Sequence, residues 1–541
     1  MDVGEHVTTR KQRGNFPYVS LHSGYYLHAQ HFSKYQGLFL RREGSLFKYV
    51  DGVRLDADIH HVQRGQDQVV LNTEKARVTL HRTDKGLRIT ATNPVNAVFV
   101  FDTRFIDDYD DQGRIYNVDH DDTTVRVNYR KYCSGALETV AYDASFSIQT
   151  DTWAAIDDWQ PVAHSYDERR GDTSNNWVYR AGEVELSPDN PVSIHVSKTA
   201  KNEPTPMSEF LYEDEGDKRV AAGYPWFYEA WSRDEIISLH PIITSQPRLA
   251  KSMLVRAVTT NQGTRSVAGS DLSSADTPGW IAKRLSQLIE QDDIELTDDE
   301  AEAVIEYFET YLSTQVFDDR LVVNDDLETW MDTAGGTEDT RRGKRVEIQA
   351  GLLAILTVLD DLSDEDYHRR YVKTKQHIQR CLVDDGVLHD GHVDGHVDRT
   401  RRPNVFLAYY LHDDMVKDAV WRRTFDRVID GCWLKWGGFS SIAQDHRLFH
   451  GQHTGVDNRS YHRGDSWYYV NNIAALALHD LNASQYLKYI EKIRSASLND
   501  YRSELAVGAC SEISDAETQR SAGCVSQAWS YATLLELLEA V

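Results

Sequence analysis

The feature that most constrains this chain is a change of hydrophobic period near Glu203-Pro204-Thr205-Pro206. Before it, apolar and β-branched residues alternate in short runs; after it, they recur at i, i+3, i+4 and i+7. Alternation places one side of a strand on a core, whereas the longer period gives a helix one apolar face. A chain of 541 residues also exceeds what one core usually holds, about 250–300 residues. Two domains are therefore predicted: a strand-rich domain over residues 1–205 and a helical domain over 206–541.

Strand runs fall at 18–27, 45–53, 69–71, 77–81, 87–92, 97–101, 124–128, 146–149 and 192–196, with turn formers such as Asp51-Gly52 between them. Many short strands at this spacing predict a large β-sandwich. Helical periodicity marks 235–243, 281–290, 298–311, 346–362, 364–382, 405–411, 416–428, 469–478, 483–495 and 525–538. Long loops rich in Gly, Asp and Trp join them, as expected of an all-helical domain with its working loops at one end.

Charge narrows the partners. The 59 basic and 85 acidic residues leave a formal charge of -26, and the acids are spread along the chain instead of forming a tail. No basic face can be assembled from that balance, so nucleic acid is not an expected partner. Asp outnumbers Glu and Arg outnumbers Lys, a pattern similar to proteins of salt-accumulating microbes, where molar salt screens self-repulsion to about 3 Å. An ordinary acidic cytosolic enzyme is the competing reading. The five cysteines are scattered without a close pair, which points to neither a zinc site nor a disulfide framework. The first residues carry no apolar stretch and no run of 18 apolar residues follows, so a soluble, cytoplasmic protein without a membrane partner is expected.

Four polar-aromatic clusters sit at predicted helix ends. Trp231-Ser232-Arg233-Asp234 precedes an apolar helix, with Asp234 at its expected N-cap. Pure capping has no need of the Trp and Arg, which together with Asp form a sugar-recognition set; cap and sugar site both remain open. Ser273-Ser274-Ala275-Asp276-Thr277-Pro278 reads as a helix start with Asp276 as cap. Trp330-Met331-Asp332 places a carboxyl beside an indole, where desolvation would raise its pKa toward that of a general acid; a solvated acidic loop is the alternative. Ser511-Glu512-Ile513-Ser514-Asp515 leads into the last helix as a polar loop. The segment 389–398 holds three His and three Asp, but its glycines favour a tight turn or short hairpin over a metal-binding helix face, and no metal is expected.

In this order the clusters resemble the glucosidase domain of glycogen debranching enzymes, the amylo-α-1,6-glucosidase family. The strings are GYPWFYEAWSRDEIISL (223–239), ADTPGW (275–280), TWMD (329–332), RRGKRVEIQAGLLAIL (341–356), RRPNVFLAYYL (401–411), YHRGDSW (461–467) and SEISD with GCVSQAWS (511–530). The resemblance implies a β-sandwich followed by an (α/α)6 toroid, and no cofactor. It also implies hydrolysis of α-1,6 branch stubs of glycogen or a related α-glucan with inversion. Asp332 then corresponds to the general acid and Glu512 to the general base. Trp231, Arg233, Asp234, Asp276, Trp330, Glu347, His462 and Trp467 correspond to the glucose pocket. A glucoamylase-like or trehalase-like α-glucosidase would use the same catalytic pair. A sugar phosphorylase would need the acid but no carboxylate base, and a catalytically silent glucan-binding protein would need neither.

Overall fold

Period-two alternation becomes antiparallel sheet in the N-terminal part of a computed structural model of the chain. The structure describes residues 33–541 except 43, 65–67, 84, 134–135, 172–174, 197–206, 225–226, 261–273, 292–293, 504 and 506–507, and adds the backbone of strands Val7–Arg10, Val19–Leu21 and Gly24–Leu27. The predicted boundary at residue 205, and Pro225, Trp226 and Ser273 of the motifs, lie outside the described residues. Two compact units emerge: residues 2–214 with 500–509, and residues 215–499 with 510–541.

The first unit is rich in sheet. Its largest sheet runs from Val7–Arg10 through Ile59–Arg64, Gln68–Thr73, Arg77–Thr83, Gly86–Ala91, Val192–His195, Ala136–Gln149 and Thr124–Cys133 to Arg114–His120. Along Thr124–Cys133, buried Val125, Val127 and Tyr129 alternate with exposed neighbours, so one face is core and the other is wet. A four-stranded sheet holding Val95–Phe101 and Asn175–Leu186 meets it through aromatic rings. Tyr116 stacks on Tyr179 with centroids 4.6 Å apart, and Phe101 meets Phe146 edge-on at 5.1 Å.

The second unit is mainly helical. The helix Val346–Leu362 has the predicted bounds, while 298–311 extends to Asp298–Thr314 behind a capping box of Thr297 and Glu300. Where one helix was expected over 235–243, two short ones form, Ser232–Ile237 and His240–Ser245. Pro241 lacks an N–H and its ring would strike the carbonyl four residues back, so the first helix ends before it. The helix Pro247–Thr259 is unpredicted. The expected break between 478 and 483 is a kink at Asn482 inside Tyr468–Ser503, where the Asn482 side chain accepts from Gln485 N–H and so caps the second half. Thr277–Ile289 and Val346–Leu362 cross on a glycine pair: a Cβ on Gly279 would lie 2.6 Å from Gly351 Cα. That approach holds the starts of both helices, and hence Asp276 and Glu347, near one another. No helix among the described residues is long and apolar enough to cross a membrane.

Candidate active site

Several site residues stand at the starts of helices, so their side chains belong to turns that rigid elements carry. Trp231, not Asp234, is the N-cap of Ser232–Ile237, which corrects the expected role of Asp234. The Asp234 carboxylate lies one turn further in and accepts instead from Gln527 Nε2 at 2.9 Å. Trp231 is part-buried, with its ring edge-on to Phe227 at 5.2 Å.

Arg233 gathers three motifs. Its Nε donates to Asp276 Oδ1 at 3.0 Å, one Nη to Ser274 Oγ at 3.3 Å and the other to Asp332 Oδ2 at 3.2 Å. Asp276 does occupy the N-cap position of Thr277–Ile289, yet its side chain caps no backbone N–H. The reason is competition: Oδ1 accepts from both Arg233 and Ser274 Oγ, the latter at 2.6 Å. Buried Oδ2 has no hydrogen-bond partner.

Asp332 is the most open of the acids in this cluster, with 37 % of its side chain exposed, while Asp234, Asp276 and Glu512 are almost wholly buried. Its Oδ1 lies 3.5 Å from His462 Nε2. Burial acts to raise its pKa, but the nearby His462 imidazole and the charge of Arg233 outweigh burial and hold it below the usual carboxylate value. The raised pKa expected from its neighbouring indole is therefore absent in the free protein. Trp330 is enclosed: its Nε1 donates to Asn404 Oδ1 at 3.0 Å and its ring meets the edges of His462, Trp467 and Tyr469. His462 lies flat on Trp467, with centroids 5.0 Å apart and planes 7° from parallel. The two indoles thus set the imidazole that faces Asp332.

Glu512 is clamped from both sides. Tyr461 Oη donates to Oε1, and the Cys524 N–H donates to Oε2 at 2.7 Å. The adjoining strand Ile513–Ser514 pairs with Ser466–Trp467 and with Ser521–Ala522, which ties the Glu512 turn to the His462 motif. Gly523, at φ +68°, makes the clamp possible: a Cβ there would lie 2.3 Å from Glu512 Oε2.

These acids sense one another. Burial pushes Asp234 up to about 7 against the pull of Arg233, and the charges of Glu512 and Asp332 add to the rise. The Tyr461 hydroxyl rises well above its ordinary value through burial and then through Glu512, Asp332 and Asp234. Tyr461 is thus bonded to one carboxylate, Glu512, and feels the charge of two others.

Glu347 is placed differently. It forms an ion pair with Arg341, whose Nη2 also reaches Asp390 Oδ1 at 3.0 Å, and Asn404 Nδ2 donates to that same oxygen at 2.8 Å. Glu347 thus belongs to a buried charge network that meets the cluster through Asn404 and Trp330. The His-rich segment forms the hairpin Gly391–Val393 with His396–Asp398, and no group of three or more metal-ligating side chains occurs among the described residues. Sequence reasoning missed Tyr461, Gln527, Asn404 and Asp390. The first three lie inside quoted strings, but no spacing rule marks a phenol or an amide as the partner of a distant carboxylate.

An amylo-alpha-1,6-glucosidase family model matches residues 205–536. No curated relative matches the chain. Among solved structures, a GH63 mannosylglycerate hydrolase from Thermus thermophilus in complex with glucose is similar at 14% identity and TM-score 0.43, over 60% of this chain and 96% of that one. A structure described only as a wild-type glycosidase matches at 12% identity and TM-score 0.43, over 61% of this chain and 92% of its own. The matched span takes in every motif from Trp231 to Glu512, and the chain belongs to the amylo-alpha-1,6-glucosidase family of glycoside hydrolases.

Proposed function

We propose that this chain is an inverting, exo-acting glycoside hydrolase that releases glucose from α-1,6 branch stubs of glycogen or a related α-glucan. What carries the reading is a short run of contacts between the two acids, Glu512 bonded to Tyr461, Tyr461 against His462 and His462 3.5 Å from Asp332, in a chain of this family. On this reading residues 206–541 form an (α/α)6 toroid that holds the site, and residues 1–205 a β-sandwich.

Asp332 protonates the glycosidic oxygen. Arg233 and His462 keep it ionised in the free protein, so it acquires its proton as the substrate seats and expels water, which strengthens the burial effect already present. Glu512 takes a proton from the attacking water on the opposite face of the sugar. Tyr461 and the Cys524 N–H fix the orientation of its carboxylate before substrate arrives. Inversion requires room for that water, about 6.5–9.5 Å between the carboxyls. The surrounding acids stabilise the positive charge that develops on the sugar ring. Asp234 with Gln527, and Trp231 at the part-exposed edge, hold the terminal glucose. Trp330, Trp467 and Asp276 orient the groups in front of them.

A substrate panel tests the linkage. Panose, isomaltose and branched limit dextrin should release glucose faster than maltotriose or trehalose at equal concentration. Release from maltotriose or trehalose alone would reject the debranching assignment while leaving the hydrolase.

A further inference from the structure

Five helices that start at the catalytic cluster meet again further along around a second cavity. Thr277–Ile289 follows Asp276, Val346–Leu362 carries Glu347, Asn404–Leu411 starts at the partner of Trp330, Tyr468–Ser503 follows Trp467, and Ala528–Ala540 follows Gln527. Residues later in all five line a cavity of about 470 Å³, within the roughly 300–1,000 Å³ of small-ligand sites. At 1.5 Å per residue, Leu476 in its wall stands about 14 Å along the helix from Trp467. The cavity is therefore separate from the catalytic cluster.

Its polar groups keep hydrogen-bonding capacity to spare. Lys283 makes no hydrogen bond or ion pair with any described residue; its ammonium lies 5.0 Å from the centroid of the Tyr410 ring. That ring is fixed, because the Tyr410 hydroxyl accepts from Arg284 Nη1 at 2.6 Å and donates to Glu536. Also lining the cavity, Asp480 uses one carboxylate oxygen to accept from Tyr409 Oη at 2.6 Å, and the Asp413 carboxylate makes no hydrogen bond or ion pair with any described residue. Leu476 supplies an apolar wall. An anion would meet Asp413, Asp480 and the carbonyl ends of Asn404–Leu411 and Ala528–Ala540. A cation would meet Lys283. Burial, then the charge of Arg284, lowers the Lys283 pKa against the opposing charges of Glu536 and Asp413. Unspent donors and acceptors beside an apolar wall match the alternating hydroxyls and C–H faces of a sugar.

We propose that this cavity is a second saccharide site, which takes an uncharged oligosaccharide apart from the catalytic cluster. That the saccharide is an α-glucan rests on the function proposed above. Calorimetric titration of the full-length Glu512→Gln chain with maltotriose should show two sites. Adding Lys283→Met with Asp480→Asn should weaken one of them by at least about tenfold and leave the other. Leu476→Trp, which fills the cavity, should do the same, with melting temperatures confirming a folded chain. In the otherwise unaltered chain these substitutions should leave glucose release from panose unchanged. A maltotriose stoichiometry insensitive to both variants overturns the proposal, as does displacement of the second maltotriose by inorganic phosphate. Glycogen co-sedimentation separates the ligand sources: loss in the Lys283 variant identifies a polymer segment, and retention beside lost maltotriose binding identifies a free short saccharide. If the catalytic reading alone fails, no substrate releases glucose while the Lys283-dependent site persists.

Discussion

Each unit buries a cluster of charges, and the two clusters are balanced in opposite ways. In the sheet-rich unit, Asp102 is surrounded by Lys48 at 2.7 Å, Arg104 at 2.6 Å and Arg114 at 2.5 Å. Burial alone would raise the Asp102 carboxyl, but those three cations hold it well below the usual carboxylate range. In the helical unit, Asp276 and Asp332 both bond to one arginine, Arg233, whose charge also acts on Asp234, and Asp234 is nevertheless pushed up to about 7. A cluster that serves only the fold finds its counter-charges, because an unpaired buried charge is costly. On the proposed mechanism, the acid-rich cluster keeps an excess of negative charge where positive charge later develops.

The contrast breaks most sharply on activity. Glu512→Gln and Asp332→Asn should each lower kcat by about 10²–10⁴-fold with an unchanged circular-dichroism spectrum. Near-normal turnover in either variant would remove that residue from the mechanism. Asp102→Asn should do the reverse, leaving kcat intact and costing about 3–5 kcal/mol in denaturant unfolding, because it strands buried cations. Tyr461→Phe removes one hydrogen bond to a carboxylate and should lower kcat by about tenfold to a hundredfold, with little change in KM. An unchanged kcat would show that Tyr461 does not orient the base.

A subtler difference is carried by pH. Asp234 binds its proton more tightly folded than unfolded, so its contribution to stability is complete below about pH 4 and is lost as pH rises toward 7. Asp234→Asn should therefore flatten the fall in melting temperature across that window, and two parallel curves would place the shift elsewhere. The smallest and most diffuse effect concerns the whole surface. With a formal charge of -26, the melting temperature should rise between about 0.1 M and 2 M KCl; a flat response would count against salt adaptation.

Legibility in the sequence followed locality. Period alone located Val346–Leu362 because its apolar residues face neighbouring helices along its whole length. The 235–243 helix failed because one proline outweighed a continuous apolar run. The ordered strings singled out Asp332 and Glu512 as the proposed pair, whereas residue-level reading left Asp234 between a cap and a sugar site, and Trp231 holds the cap. Trp330 and Trp467, expected among the pocket residues, are buried supports for His462. Tyr461 and Gln527 were invisible because their partners, Glu512 and Asp234, are 51 and 293 residues away. Such pairings follow from how helix ends meet, which no local pattern encodes.

The central claim is that Glu512 drives water onto the sugar from the face opposite Asp332. Proton NMR of the glucose first released from isomaltose or panose tests it directly. Inversion at an α-linkage predicts that β-glucose appears first and then mutarotates. Prompt α-glucose would contradict the inverting pair.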